Sequence, residues 1–282
     1  MDKSPKPPTR ALETEIEIAA PVEAVWKALT DARELANWFP LEAGENPDGT
    51  VWMAWRNDYK WTSRIEISEP PRHLRTVSVE DVMVAEQPEG ENKKSETITF
   101  EPTATDVYLE ARGGKTVLRL VHSGFSTATE WDELYDATRR GWNFQLWSLQ
   151  HYLTKHRGTP RITAYVRQLL SKLTREQAWQ RLMTPDFLLQ AGKLENLKPG
   201  DRYSFRTASG DSFEGVIQTF NPPLEIYGTV ENFNHGIFEI HLDELFGYRD
   251  VMFQLSTYGV PREQVEGVEA RMQKLLRRLN DE

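Results

Sequence analysis

Polar and apolar positions alternate from the start of the chain. In Leu12-Glu13-Thr14-Glu15-Ile16-Glu17-Ile18 the glutamates fall on one side, which predicts a half-buried strand. The spacing then becomes helical: Val22, Val25, Trp26 and Leu29 share a face, and Pro21 suits a first helical turn. A second short helix is predicted from Asp31, with Glu34 three residues on as in a capping box, ending at Trp38-Phe39-Pro40. Strands are predicted over 51–55 and 61–67 around the turn Arg56-Asn57-Asp58-Tyr59, and over 73–79 after the break at Pro70-Pro71. The polar stretch 86–94 reads as a loop. Strands over 107–111 and 115–122 meet at the hairpin signal Gly113-Gly114. After a loop over 123–130, a long helix over 131–156 carries Trp142, Leu146, Leu149 and Leu153 as its buried stripe.

The same order returns after the linker around Gly158-Thr159-Pro160. A strand over 162–169 leads to the capping box Thr174-Arg175-Glu176-Gln177 and a helix bearing Trp179 and Leu182. Strands are predicted over 203–205, 213–219, 224–230, 237–242 and 250–257, with a turn at Asn234-His235-Gly236. Val265, Val268, Met272, Leu275, Leu276 and Leu279 line a closing helix after Pro261. Val25-Trp26-Lys27-Ala28-Leu29 corresponds to Ala178-Trp179-Gln180-Arg181-Leu182 at a shift of 153 residues, and Pro70-Pro71 corresponds to Pro222-Pro223. A near-constant shift across helix, turn and strand signals means two copies of one domain. The expected division is a tail over 1–10, a first domain over 11–157, a linker over 158–161 and a divergent second domain over 162–282. Aligning Leu118 with Met252 leaves the first copy with about 18 extra residues, assigned to 80–100.

A length of 282 residues suits two domains, each with its own core. The net charge of −9 argues against nucleic acid as a partner. It divides into −7 for residues 1–158 and −2 for the remainder. There is no cysteine, which excludes disulfides, thiolate catalysis and Cys-based metal sites. No apolar run approaches a bilayer span and the start lacks a signal-peptide pattern, so no membrane span and a cytoplasmic location are expected.

Residues 16–30, from Ile16-Glu17-Ile18-Ala19-Ala20-Pro21 to Leu29-Thr30, resemble the opening signature of the START-like, or SRPBCC, superfamily. The continuation to Trp38-Phe39, with Gly49, Glu69-Pro70-Pro71-Arg72-His73-Leu74 and 116–125, resembles its branch related to the activator of heat-shock protein 90 ATPase. Gly141-Trp142 with Leu146, Leu149 and Leu153 matches that branch's closing helix. The resemblance covers 11–157 well and 160–282 mainly through the repeat. It implies an α+β chain of two tandem helix-grip domains. Each has an antiparallel curved sheet around a long C-terminal helix, with two short helices after the first strand.

It also implies a pocket between sheet and closing helix. Trp38, Phe39, Trp52, Trp55, Trp61, His122, Phe125, Trp142, Phe144 and Trp147 are the candidate lining of the first domain, and only Trp179 of nine tryptophans lies in the second. The same rings can instead fill a core. His122 has two readings: an acid–base near the cavity, with Tyr59 or Arg56 assisting, or a hydrogen-bonded histidine at a strand end. Its counterpart in the second copy is read as Ser256. His151 and His156 are expected on different helix faces, and His241 with Asp243 and Glu244 shows no third ligand, so no metal or cofactor is expected. Three functions remain open: binding of a small apolar molecule, a chaperone-partner module, or a cyclase or dehydratase acting on a polyketide-like substrate. The second copy is expected to carry smaller or more polar residues and to serve structure or dimerisation.

Overall fold

The computed structural model describes residues 8–56, 58–86, 95–99, 102–245 and 247–281. Residues 1–7 of the expected tail over 1–10, the turn residue Asn57 and residues 87–94 of the expected loop over 86–94 lie outside the described residues, while Thr9 and Arg10 of the expected tail belong to the first strand. Two compact units divide the chain between Gly158 and Thr159. Each is an antiparallel sheet with a long helix after its last strands, the α+β helix-grip arrangement in tandem.

In the first unit, β1 (Thr9–Ile18) is followed by α1 (Val22–Thr30) and α2 (Ala32–Leu35). Then come β2 (Glu42–Glu45), β3 (Val51–Trp55), β4 (Tyr59–Glu69), β5 (His73–Glu86), β6 (Ser95–Thr99), β7 (Ala104–Arg112) and β8 (Lys115–Ser126). The sheet order is β1-β8-β7-β5-β4-β3-β2, with β6 on β5. The closing helix α3 (Asp132–His151) ends in a π turn over Tyr152–His156. Trp142, Leu146, Leu149 and Leu153 are buried along one stripe, as their spacing predicts.

The short helices are fixed by side chains at their ends. Asp31 ends α1 and caps α2, accepting from the Arg33 and Glu34 amides. Trp38 Nε1 donates to the Ala28 carbonyl, an end group of α1 that lacks a helical partner (2.9 Å). The buried Tyr152 hydroxyl donates to Glu34 (2.7 Å) and accepts from Asn37 and the Gly158 amide. The end of α3 thereby anchors α2 and the Trp38-Phe39 corner. On the outer side of β1, Tyr135 and Gln150 from α3 donate to the Ala11 and Glu17 carbonyls, so α3 covers that sheet edge.

The second unit holds β9 (Arg161–Leu169), α4 (Arg175–Leu182), β10 (Ala191–Gly192), β11 (Arg202–Arg206), β12 (Ser212–Asn221), β13 (Glu225–Val230), β14 (Gly236–Leu245), β15 (Tyr248–Tyr258) and α5 (Arg262–Arg277). The sheet order is β10-β11-β12-β13-β14-β15-β9. Thr174 and Gln177 form the expected reciprocal capping box of α4.

The repeat extends to backbone irregularities. The register shift between Ile65 and Ile67 on β4 has its counterpart between Ile217 and Thr219 on β12, and both Pro-Pro bonds are cis. Each pair is 152 residues apart. The expected match of Leu118 with Met252 is off by one. Leu118 faces its core, whereas Met252 shares a face with Arg167 and Asp250, and the core side of β15 carries Val251 and Phe253. The same parity removes Ser256 as the counterpart of His122. Two strands lack the expected signals: β2 is only four residues long, and β6 falls within 80–100.

Because Tyr152 joins three partners at one buried oxygen, Tyr152→Phe is expected to lower first-domain stability by about 1–2 kcal/mol with little change in volume. Urea unfolding followed by tryptophan fluorescence checks this; an unchanged midpoint would contradict it.

Candidate functional site

The inner face of the first sheet follows from strand parity. Met53, Trp55, Tyr59, Trp61, Ser63 and Ile65 share it on β3 and β4, since Met53 pairs with Trp61 and Trp55 with Tyr59. Leu74, Thr76, Thr105, Val107, Leu109, Leu118, Leu120 and His122 continue it across β5, β7 and β8. Parity alone would turn Phe125 outward. Gly124 is the extra residue where the β1–β8 register shifts between Arg10 and Ala11, and its φ of +104° turns Phe125 back inward. The His122 and Phe125 ring centroids are then 4.7 Å apart.

Seven of the ten candidate residues form one ring layer. Phe39 stacks on Trp38 and Trp142 (5.2 Å each) and meets Trp55 and Trp61 edge-on at 5.3 and 6.1 Å. Trp61 stacks on His122 at 5.8 Å, and His122 contacts Phe125 and Trp142. The other three lie elsewhere. Trp52 is on the outer face of β3, where its ring covers Gly44. Phe144 and Trp147 contact each other, and Trp147 reaches His151. At about 100° per residue they sit well over a third of a turn from Trp142, off the stripe that faces the sheet.

His122 is locked. Its Nδ1 accepts from the Trp142 indole N–H (3.0 Å), so the ring proton is on Nε2, which donates to the Thr103 hydroxyl (2.9 Å). Burial without a charged partner pushes its pKa down to about 3. Both nitrogens are engaged and the ring is neutral at ordinary pH, which fits the reading of a hydrogen-bonded histidine at a strand end and not that of an acid–base. Arg56 has a left-handed backbone and Tyr59 opens β4; neither is paired with His122.

Buried polar atoms of this region with no hydrogen-bond partner among the described residues include Trp61 Nε1 and Thr62 Oγ1 on β4 and Gln145 Oε1 on α3. Such atoms are rare in folded proteins, because each forfeits a hydrogen bond it had in water. Ile65, two inner-face positions beyond Trp61, is 38% exposed. At the 152-residue shift, Trp61 and Ile65 correspond to Phe213 (0% exposed) and Ile217 (1%). The second core is closed by contacts among Tyr203, Phe205, Phe213, Phe238 and Phe253. It is phenylalanine-rich, with rings smaller than the tryptophans of the first domain but no more polar.

The remaining histidines also differ from expectation. His151 and His156 have ring centroids 5.2 Å apart, because the π turn brings residues five apart into line. His241 lies 3.2 Å from Glu239 and 3.5 Å from Asp243, while Glu244 approaches Arg175 and Arg249 instead. Burial disfavours a charge on His241, but Asp243 and Glu239 outweigh it and hold its pKa up to about 9. Among the described residues no three-ligand metal cluster occurs. Among the described residues no helix is long and apolar enough to cross a membrane.

A concave sheet closed by one helix over an aromatic layer defines the first unit as a helix-grip, START-like domain. Residues 19–154 match the family described as "Activator of Hsp90 ATPase homolog 1-like protein". A search of curated proteins returned no match. Among solved structures, DynU16 from the dynemicin biosynthetic locus is 15% identical over 95% of this chain and 97% of its own (TM-score 0.40). The di-domain ARO/CYC BexL from the BE-7585A biosynthetic pathway is 12% identical over 95% and 98% (TM-score 0.40). The Aha1 dimer from Colwellia psychrerythraea is 19% identical over 53% and 99% (TM-score 0.39).

The histidine lock has a pH signature. Unfolding restores an ordinary pKa near 6.5, so below that value the unfolded chain binds a proton that the native His122 refuses. Stability from this group is complete above about pH 6.5 and falls on acidification toward pH 3, by at most about 1.4 kcal/mol per pH unit. His122→Gln is expected to flatten that part of the stability–pH curve, measured by tryptophan-monitored unfolding from pH 7 to pH 4. An identical slope in the variant would contradict the lock.

Proposed function

We propose that the first domain binds a small, mainly apolar molecule on the inner face of its sheet, beside Trp61 and under α3, without itself carrying out a reaction. The observation that carries this reading is the contrast within one chain. Corresponding positions are fully buried at Phe213 and Ile217, but at Trp61 and Ile65 they leave an unpartnered indole N–H and an exposed aliphatic side chain. Apolar walls with a few convergent polar atoms are the usual make-up of a small-molecule site. The seven-ring layer supplies the walls, the Trp61 N–H a donor and Ile65 an entrance. The second domain, with its filled core, acts on this reading as a structural partner.

A neutral, environment-sensitive apolar dye titrated into the full chain tests the reading. Saturable binding near one equivalent is expected. Ile65→Trp, which places a larger ring at the entrance, is expected to weaken it about tenfold or more, whereas Ile217→Val in the second domain leaves it unchanged while costing about 1 kcal/mol of stability. No saturable binding, or equal binding to wild type and Ile65→Trp, would overturn it.

A further inference from the structure

Around Trp61 and Ile65 no basic side chain occurs on the inner face of the first sheet among the described residues, and the register partner of Trp61 is Asp81. The described residues of that face around Trp61 and Ile65 are Trp55, Tyr59, Ser63, Thr76, Thr105 and His122, the last neutral with both ring nitrogens in hydrogen bonds. The stripe of α3 turned toward this face is also uncharged at Trp142, Gln145, Leu146 and Leu149. Other ionic side chains of the sheet lie on the opposite face. Arg119 pairs with Glu13, Lys115 with Glu17, and Arg75 with Asp106 and Glu66. These pairs lie on the outer face, whereas on the inner face Arg10, the register partner of Phe125, is paired with Asp132 of α3.

Two consequences follow for an occupant. An anionic group beside Trp61 would be desolvated without a free counter-charge, since Arg10 is committed to Asp132, at a cost that a neutral molecule of the same shape does not meet. The Trp61 indole N–H is a donor only, so the group it lacks is an acceptor oxygen or nitrogen. Resting on the binding reading above, we propose that the site selects an uncharged ligand whose ketone- or ether-type oxygen accepts a hydrogen bond from Trp61 Nε1, and that it discriminates against carboxylates. Gln145 Oε1, also unpartnered, would be satisfied by a hydroxyl on a larger ligand of this class.

Three naphthalenes of similar size separate these features: acetylnaphthalene has a neutral acceptor, ethylnaphthalene has none, and naphthoate carries a charge. Binding to the full chain is read by equilibrium dialysis at pH 7.5. Acetylnaphthalene is expected to bind about fivefold more tightly than ethylnaphthalene, the effect of one hydrogen bond, and about a hundredfold more tightly than naphthoate. Trp61→Phe is expected to erase the preference for acetyl over ethyl while ethylnaphthalene still binds. If ethylnaphthalene and acetylnaphthalene bind equally, or naphthoate binds most tightly, the ligand class is overturned and the pocket stands. If none of the three binds, the pocket itself is refuted and the inference with it. A preference for acetyl that persists in Trp61→Phe overturns the role given to Trp61.

Discussion

A curved sheet gripping a single helix encloses a concave face that side chains must either fill or leave partly open, and close packing is what makes the filled option stable. The two domains of this chain meet that constraint differently on the same backbone plan. In the second, Phe213 and Ile217 are fully buried in an interlocked set of aromatic rings. In the first, tryptophans bring larger rings with a polar N–H that a phenylalanine lacks. Trp38 and Trp142 spend that N–H on Ala28 and His122, and Trp61 does not.

Polar bridges position the aromatic layer of the first domain. Trp142–His122–Thr103 links α3 to β8 and the segment before β7. Ser148 donates to the Trp38 carbonyl, and Tyr152 gathers Glu34, Asn37 and Gly158. A donor or acceptor buried in such a layer is costly unless paired, so each bridge also fixes geometry. The Gly124 bulge adds a backbone device, turning Phe125 to the same side as His122. His122 therefore serves the architecture of the site and has no free nitrogen for proton transfer.

Much of this was legible in the sequence, for identifiable reasons. Caps, Pro-Pro turns and helical stripes are local signals, and they fixed the tandem plan down to the Thr174–Gln177 box. The ring layer was legible where the signal was aromatic content, at Trp38, Phe39, Trp55, Trp61, Phe125 and Trp142. Strand parity separates Trp52 from Trp55, and a helical wheel separates Phe144 and Trp147 from Trp142, so those misassignments came from grouping by residue type. Other features depend on long-range contacts that no local pattern encodes. The state of His122 is set by a residue 20 positions away, the short β2 exists only against β3, and the pairing of His151 with His156 needs a π turn.

The central claim is that the first domain keeps apolar space on its inner face where the second is filled. A crystal structure determined under xenon pressure tests it directly, since xenon enters apolar cavities without needing a specific ligand. The account expects xenon beside Trp61 and Ile65 and none beside Phe213 and Ile217. Equal occupancy of both cores, or an empty first domain, would contradict it.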